Sequence, residues 1–347
     1  MPWVLPALIT IIRLEPDYLL HTKGMSDVRR QSQDIQDNQL LLGIFRCPYM
    51  YLLTRVLLSI DLSSVPMLRV FTLILISLFI TGCSLLDNIH EQTLSLFPEK
   101  EHQWKLVWSD EFDGNNLDMS KWTFNVGGKG WGNKELQYYT DGSNIRLSDG
   151  KLIIEAQKMP FGGNEYTSSR ILTKGKASWT YGKIEARIKL PYGKGIWPAF
   201  WMLGENIDSA GYPNCGEIDI MEMVGSTDGV ENATIWGSLH RPDPSATESA
   251  KIKTETAFYK NTQRDWFNDD YHVFGIEWSF HQVQFYVDKH LYKKVKIPLS
   301  GSDGYAVFRK PFFIILNLAV GGAWPGAPDN TTDWPKQMEV DWVRVYQ

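Results

Sequence analysis

Residues 104–347 predict one all-β domain, a sandwich or a barrel. Short runs there alternate apolar and polar side chains, and Gly, Pro, Asn and Asp break them at close intervals. No stretch keeps the apolar spacing of a long amphipathic helix, and no segment repeats. "KLIIEAQ" (151–157), "GKIEARIKL" (182–190), "QVQFYVD" (282–288) and "MEVDWVRVY" (338–346) each read as a strand with one face in a core. A stretch of about 240 residues is ample for a single large core.

Ahead of this domain the text changes character. Residues 67–83, "MLRVFTLILISLFITGC", place a Met and Arg69 before an apolar run from Val70 to Ile80, then small residues before Cys83. That is the order of a secretory signal. The run falls short of the roughly 20 apolar residues of a comfortable membrane span. Its "ITGC" end resembles a bacterial lipobox, in which Cys83 would carry lipid. The expectation is therefore export, with a lipid anchor at the cell envelope (outer membrane) or secretion. Because a signal acts at the start of a chain, translation is expected to begin at Met67. Residues 1–66 are then an upstream start-assignment artefact, 84–102 a polar linker and 103–347 the folded domain.

Composition excludes several function classes. A net charge of −5 over 347 residues, with no basic run interleaved with aromatics, argues against a nucleic-acid partner. Cys47, Cys83 and Cys215 are too far apart for a disulfide framework or a paired-cysteine zinc site. The seven histidines include no HExxH, so metal-assisted hydrolysis is not expected. Tryptophan is abundant: of 14, all but Trp3 lie at or after Trp104. Most should pack a core, while a few flat rings would suit the C–H faces of sugars.

The segment "GEIDIMEM" (216–223) carries the densest chemistry. On a strand, Glu217 and Asp219 share one face while Ile218 and Ile220 point into the core. Strict alternation would then send Glu222 inward, where an unpaired carboxylate is heavily penalised. A β-bulge that absorbs Met221 restores the phase and returns Glu222 to the acidic face. Three acids on one face repel each other and spread their pKa values. Paired carboxylates about 5–5.5 Å apart suit retaining glycoside hydrolysis. Clustered carboxylates also bind calcium, and a solvated strand face would carry the same spacing.

"GEIDIMEM" resembles the E-x-D-x-x-E signature of glycoside hydrolase family 16. "WSDEFDG" (108–114), "GWGNKELQYYT" (130–140), "GIWPAFWMLG" (195–204), "FFIILNLAVGGAWPG" (312–326) and the closing "VDWVRVY" stand in the order of that family's bacterial laminarinase branch. The resemblance spans 104–347. It implies a jelly-roll β-sandwich of two curved antiparallel sheets whose concave face is the substrate cleft. By motif position Glu217 would be the nucleophile and Glu222 the acid/base. Asp219 would bond the nucleophile and hold up the acid's pKa. Mixed-linkage glucanases commonly carry the shorter E-x-D-x-E; agarases and carrageenases share the longer form.

The same resemblance implies cleft roles for other residues. Trp197 and Trp201, four apart on a strand, would stack on glucose rings, with Trp131 and Trp324 as weaker candidates of the same kind. Asn144 and Arg170 would bond sugar hydroxyls or the nucleophile's surroundings. His240 would stand near the acid/base, and Gln137 and Asn317 would add polar contacts. A structural calcium on the convex side would use Glu111, the backbone of Gly150 and Asp341; catalysis itself needs no cofactor. The expected protein is a monomeric, endo-acting retaining hydrolase of 1,3-β-glucan. The rivals are a relative cutting mixed-linkage glucan, agarose or carrageenan, and a non-catalytic carbohydrate-binding sandwich.

Overall fold

Alternation along the strands sorts their side chains into two layers. β8 (Gly182–Lys189) shows it plainly: Ile184, Ala186 and Ile188 are fully buried, while Lys183, Glu185, Arg187 and Lys189 lie between them on the other face. The outward charges are used, since Lys183 pairs with Glu185 at 2.7 Å and Arg187 with Asp341 at 2.6 Å. These observations come from a computed structural model, which describes residues 103–226, 231–245, 251–261, 266–299 and 303–347. The expectations for residues 1–66, for the signal at 67–83 with Cys83 and for the linker 84–102 fall outside the described residues. Gln103–Gln347 forms one compact unit.

Two antiparallel sheets make the jelly-roll sandwich. In the first, β15 (His290–Lys296), β14 (Gln282–Val287), β13 (His272–Trp278), β8, β17 (Lys336–Tyr346), β5 (Lys151–Ala156) and β4 (Ile145–Ser148) lie in that order, with β1 (Leu106–Asp110) also on β17. In the second the order is β12 (Ile252–Lys260), β11 (Thr234–Pro242), β10 (Glu217–Glu222), β9 (Ile196–Gly204), β16 (Phe312–Val320), β7 (Arg170–Leu172) and β2 (Thr123–Phe124). A short parallel pair, β3 (Gln137–Tyr139) and β6 (Tyr166–Ser168), sits apart from both.

The core lies between the large sheets. Ile184, Ala186 and Ile188 meet Phe200 and Met202 of β9, Ile218, Ile220 and Met221 of β10, and Phe312, Ile314 and Leu316 of β16. Each of the larger of these side chains contributes about 1.5–3 kcal/mol when fully buried. β16 is buried on both faces: Phe313 and Ile315 form a smaller cluster with Leu172, packed against Trp201, Leu203 and Ile207. That second cluster puts an apolar floor beneath part of the cleft.

The entry to β10 is fixed by close backbone approach. A Cβ on Gly204 would meet the Cys215 carbonyl oxygen at 2.1 Å, so only glycine lets the end of β9 pass this turn. Gly216 has φ +80°, and its own Cβ would meet Val307 at 2.8 Å. Cys215 is fully buried between them, a small packed residue as its apolar setting implies. The "CGE" turn thereby aims Glu217 at the concave face.

Candidate active site

The cross-strand register decides where the acids point. Against β11, Glu217 faces His240, Asp219 faces Ser238 and Glu222 faces Trp236. The partners step by two along β11 while the acids step by two and then three, so all three acids stay on one face. Against β9 the partners are Leu203, Trp201 and Ala199, again a step of two. The extra residue is the expected bulge, with one refinement. Met221 pairs with Phe200 and Ile220 is the position left without a partner across β9. Both are fully buried, so two successive side chains enter the core and the acidic face is kept whole.

The surroundings set the protonation of each acid. Asp219 is almost wholly buried, while Glu217 and Glu222 are half-buried in the cleft. Burial, reinforced by the charge of Asp219, pushes Glu222 up to about 8, against the pull of a hydrogen bond from Trp197 Nε1 to Glu222 Oε1 at 3.0 Å. Burial also pushes Asp219 up to about 8 and raises Glu217, whose charge is opposed by Asp219 and favoured by His240 and Arg170. Two raised carboxyls this close titrate as a pair, with a proton held between them. His240 Nε2 approaches Asp219 Oδ2 to 2.9 Å and Glu217 Oε1 to 3.7 Å, outside hydrogen-bond alignment, while Nδ1 meets Thr254 Oγ1 at 2.9 Å. The site thus holds a proton donor at neutral pH beside a carboxyl pair able to present one ionised oxygen.

The predicted aromatic and cationic residues converge on these acids. Arg170 is partly buried, its guanidinium 4.7 Å from the Trp201 ring and 5.1 Å from that of Trp131. Burial pushes Arg170 down, and the charges of Tyr139, Glu135 and Glu217 offset it. Trp201 Nε1 donates to Asn317 Oδ1 at 2.7 Å, so Asn317 fixes an indole in the cleft wall. Trp324, 44% exposed, packs edge-on against Trp197 with centroids 5.6 Å apart.

Two predicted sugar contacts are corrected. Asn144 is buried: its Nδ2 donates to the Glu155 carbonyl and Thr167 Oγ1, and its Oδ1 accepts from Thr140 Oγ1. Gln137 is fully buried, with Nε2 donating to Glu135 Oε2 at 2.7 Å and Oε1 accepting from the Val320 N–H. Both amides are spent on the scaffold because a buried amide must find partners there.

The residues expected to hold calcium are engaged otherwise. Glu111 takes two hydrogen bonds from Arg344, at 3.0 and 2.8 Å, and Asp341, at a bulge of β17, pairs with Arg187. Gly150 has φ +69° and lies beside Asp113. The two carboxylates each meet an arginine, so the three positions do not present an unpaired acidic donor set.

Four contributors were not expected from the sequence. Glu135 is buried behind Arg170 and accepts from Gln137 and from Tyr139 Oη at 3.1 Å; burial raises its pKa. Tyr212 is 45% exposed, and the charges of Glu217, Asp219 and Glu222 add to burial in raising its phenol. Trp236 and Phe258 lie in register with Glu222 on β11 and β12. The spacing of one tryptophan and one phenylalanine on separate strands carries no signal of shared location in the linear text.

Comparison with known proteins bears on the whole described unit. A family model described as "Beta-porphyranase A-D, GH16 domain" matches residues 104–347. A β-glucanase of Rhodothermus marinus is 42% identical over 286 residues, covering 80% of this chain and 94% of that protein. A glucan endo-1,3-β-glucosidase of Cryptopygus antarcticus is 40% identical over 263 residues, covering 70% of this chain and 92% of its own. Among solved structures, the laminarinase catalytic domain of Thermotoga maritima superposes with TM-score 0.63 at 44% identity, over 70% of this chain and 98% of that one.

Proposed function

The chain belongs to glycoside hydrolase family 16, and on that premise we propose that it is an endo-acting 1,3-β-glucanase working by double displacement. The ionised oxygen of Glu217 attacks the anomeric carbon as Glu222 gives its proton to the departing glycosidic oxygen. Glu222 then takes a proton from the water that attacks the glycosyl-Glu217 ester, which releases the sugar with its configuration retained. Asp219 and Glu217 share one proton and one negative charge through their hydrogen bond, and the share of that charge on Asp219 supports the proton on Glu222 until it is donated. Arg170 favours the ionised form of Glu217. Trp197, Trp201 and Trp324 provide faces for glucose rings.

The observation that carries this reading is the register of Glu217, Asp219 and Glu222 against His240, Ser238 and Trp236. A binding sandwich has no use for a bulge that keeps three repelling acids together. The test is chromatography of products from laminarin, lichenan, agarose, carrageenan and porphyran, with Glu217→Gln in parallel. Laminarin should give short oligosaccharides, and the variant should bind without cutting. Binding without cleavage by both proteins would establish a binding module instead.

A galactan hydrolase is the second reading, favoured by the porphyranase description of the matching model and by a keratan-sulfate endo-1,4-β-galactosidase of Sphingobacterium multivorum at 33% identity. It would keep the same acids and degrade porphyran or agarose in that assay. We further propose that Cys83 carries a lipid anchor on the exported protein, to be checked by mass spectrometry of the mature N-terminal peptide.

A further inference from the structure

Beyond the acids, β11 and β12 carry an aromatic run that the reaction itself does not use. Glu222 faces Trp236 on β11, and Trp236 faces Phe258 on β12. The Trp236 ring lies 5.8 Å from Trp324 and 5.2 Å from Phe258, and Trp324 lies 5.6 Å from Trp197, whose indole N–H holds Glu222. Four rings therefore lead from the acid/base residue to the edge strand of the sheet. Phe258, at the far end, is 57% exposed.

The cleft face continues onto that edge. Thr254 meets His240, and Thr256 meets Ser238 at 3.1 Å, so Thr254, Thr256 and Phe258 form a row beside the β11 row of His240, Ser238 and Trp236. Glu217 and Glu222 lie along one strand and must flank the bond that breaks. A polymer threaded between them crosses β10 instead of following it. On one side it passes over Trp201 and Arg170; on the other it must pass over β11 and β12. An exposed ring braced by Trp236 at an interplanar angle of 53° is a platform suited to the C–H face of a pyranose. Pairing with another copy's edge strand is opposed by Lys253 and Lys260 on β12.

We propose that Trp236 and Phe258 form a sugar subsite at the β12 edge, which holds a glucosyl unit of a long glucan beyond the bond that Glu222 protonates. The inference rests on the glucan-hydrolase reading and deepens it. It is tested with Phe258→Ala on a ladder of end-labelled 1,3-β-gluco-oligosaccharides, reading kcat/KM and the position of cleavage. The variant should lose about tenfold in kcat/KM on the longest oligomers and little on the shortest one cleaved, with its cleavage position displaced and its Tm kept. Equal loss at every length, or none at any length, overturns the subsite. A fall in size-exclusion mass of the variant also overturns it, by making Phe258 a self-association patch. If the wild-type protein cuts no oligomer in the ladder, the glucanase reading itself fails; if it cuts them and the length dependence is unchanged by the substitution, only the subsite fails.

Discussion

Replacing Trp197 with Phe isolates one interaction that sets the acid/base residue. The phenyl ring keeps the packing against Trp324, while the indole N–H that reaches Glu222 Oε1 at 3.0 Å is lost. That donor favours the ionised carboxylate, so its removal makes the proton harder to lose. Hydrogen bonds to charged groups contribute about 1.5–3 kcal/mol. At about 1.4 kcal/mol per pKa unit, the group moves up from about 8 by about one to two units. The general acid is active while protonated, so the alkaline limb of kcat/KM against pH should move up by that amount. The height of the profile will also fall as the sugar contact changes, but the limb's position is independent of height. The assay is a full pH profile on laminarin for both proteins at constant ionic strength. A limb that stays in place or moves down refutes the assignment of Glu222 and its bond to Trp197.

Other substitutions give distinct signs. Asp219→Asn confines the pair's negative charge to Glu217 and removes the share on Asp219 that supports the Glu222 proton, so the alkaline limb should move down, with kcat lowered by roughly a hundredfold as in loss of a charged active-site partner. Arg170→Met removes a charge that favours ionised Glu217, so the acidic limb of the same profile should move up. Glu222 has a folded-state pKa of about 8 against an unfolded value near 4.5, so its contribution to stability is full below about pH 4.5 and is lost as pH rises to 8. Glu222→Gln should therefore flatten the decline of Tm across that window, read by calorimetry at stepped pH.

The strands were legible where one face meets water. "KLIIEAQ" and "GKIEARIKL" alternate because their outer residues are charged, and they appear as Lys151–Ala156 and Gly182–Lys189. The bulge was legible for a different reason: Glu222 inside the core would have been too costly, so the sequence demanded an extra residue. Which residue loses its partner was not, since Ile220 and Met221 are both apolar and either could fill the gap. Asn144 and Gln137 were misplaced because an amide reads the same whether it serves a sugar or a buried backbone. Trp236 and Phe258 escaped notice because only the β11–β12 register brings them beside Glu222. Glu111 and Asp341 found Arg344 and Arg187 through pairings that a linear motif does not encode.

The most direct measurement is covalent trapping with a 2-fluoro-substituted 1,3-linked glucoside carrying a good leaving group, followed by peptide mass spectrometry. Such a reagent arrests the glycosyl-enzyme, so the label should be carried by the peptide containing Glu217 and should be absent from Glu217→Gln. A label on Glu222 would reverse the assignment. Rapid turnover of the wild-type protein on laminarin with an inverted first-formed anomer, and no label anywhere, would contradict the double-displacement account outright.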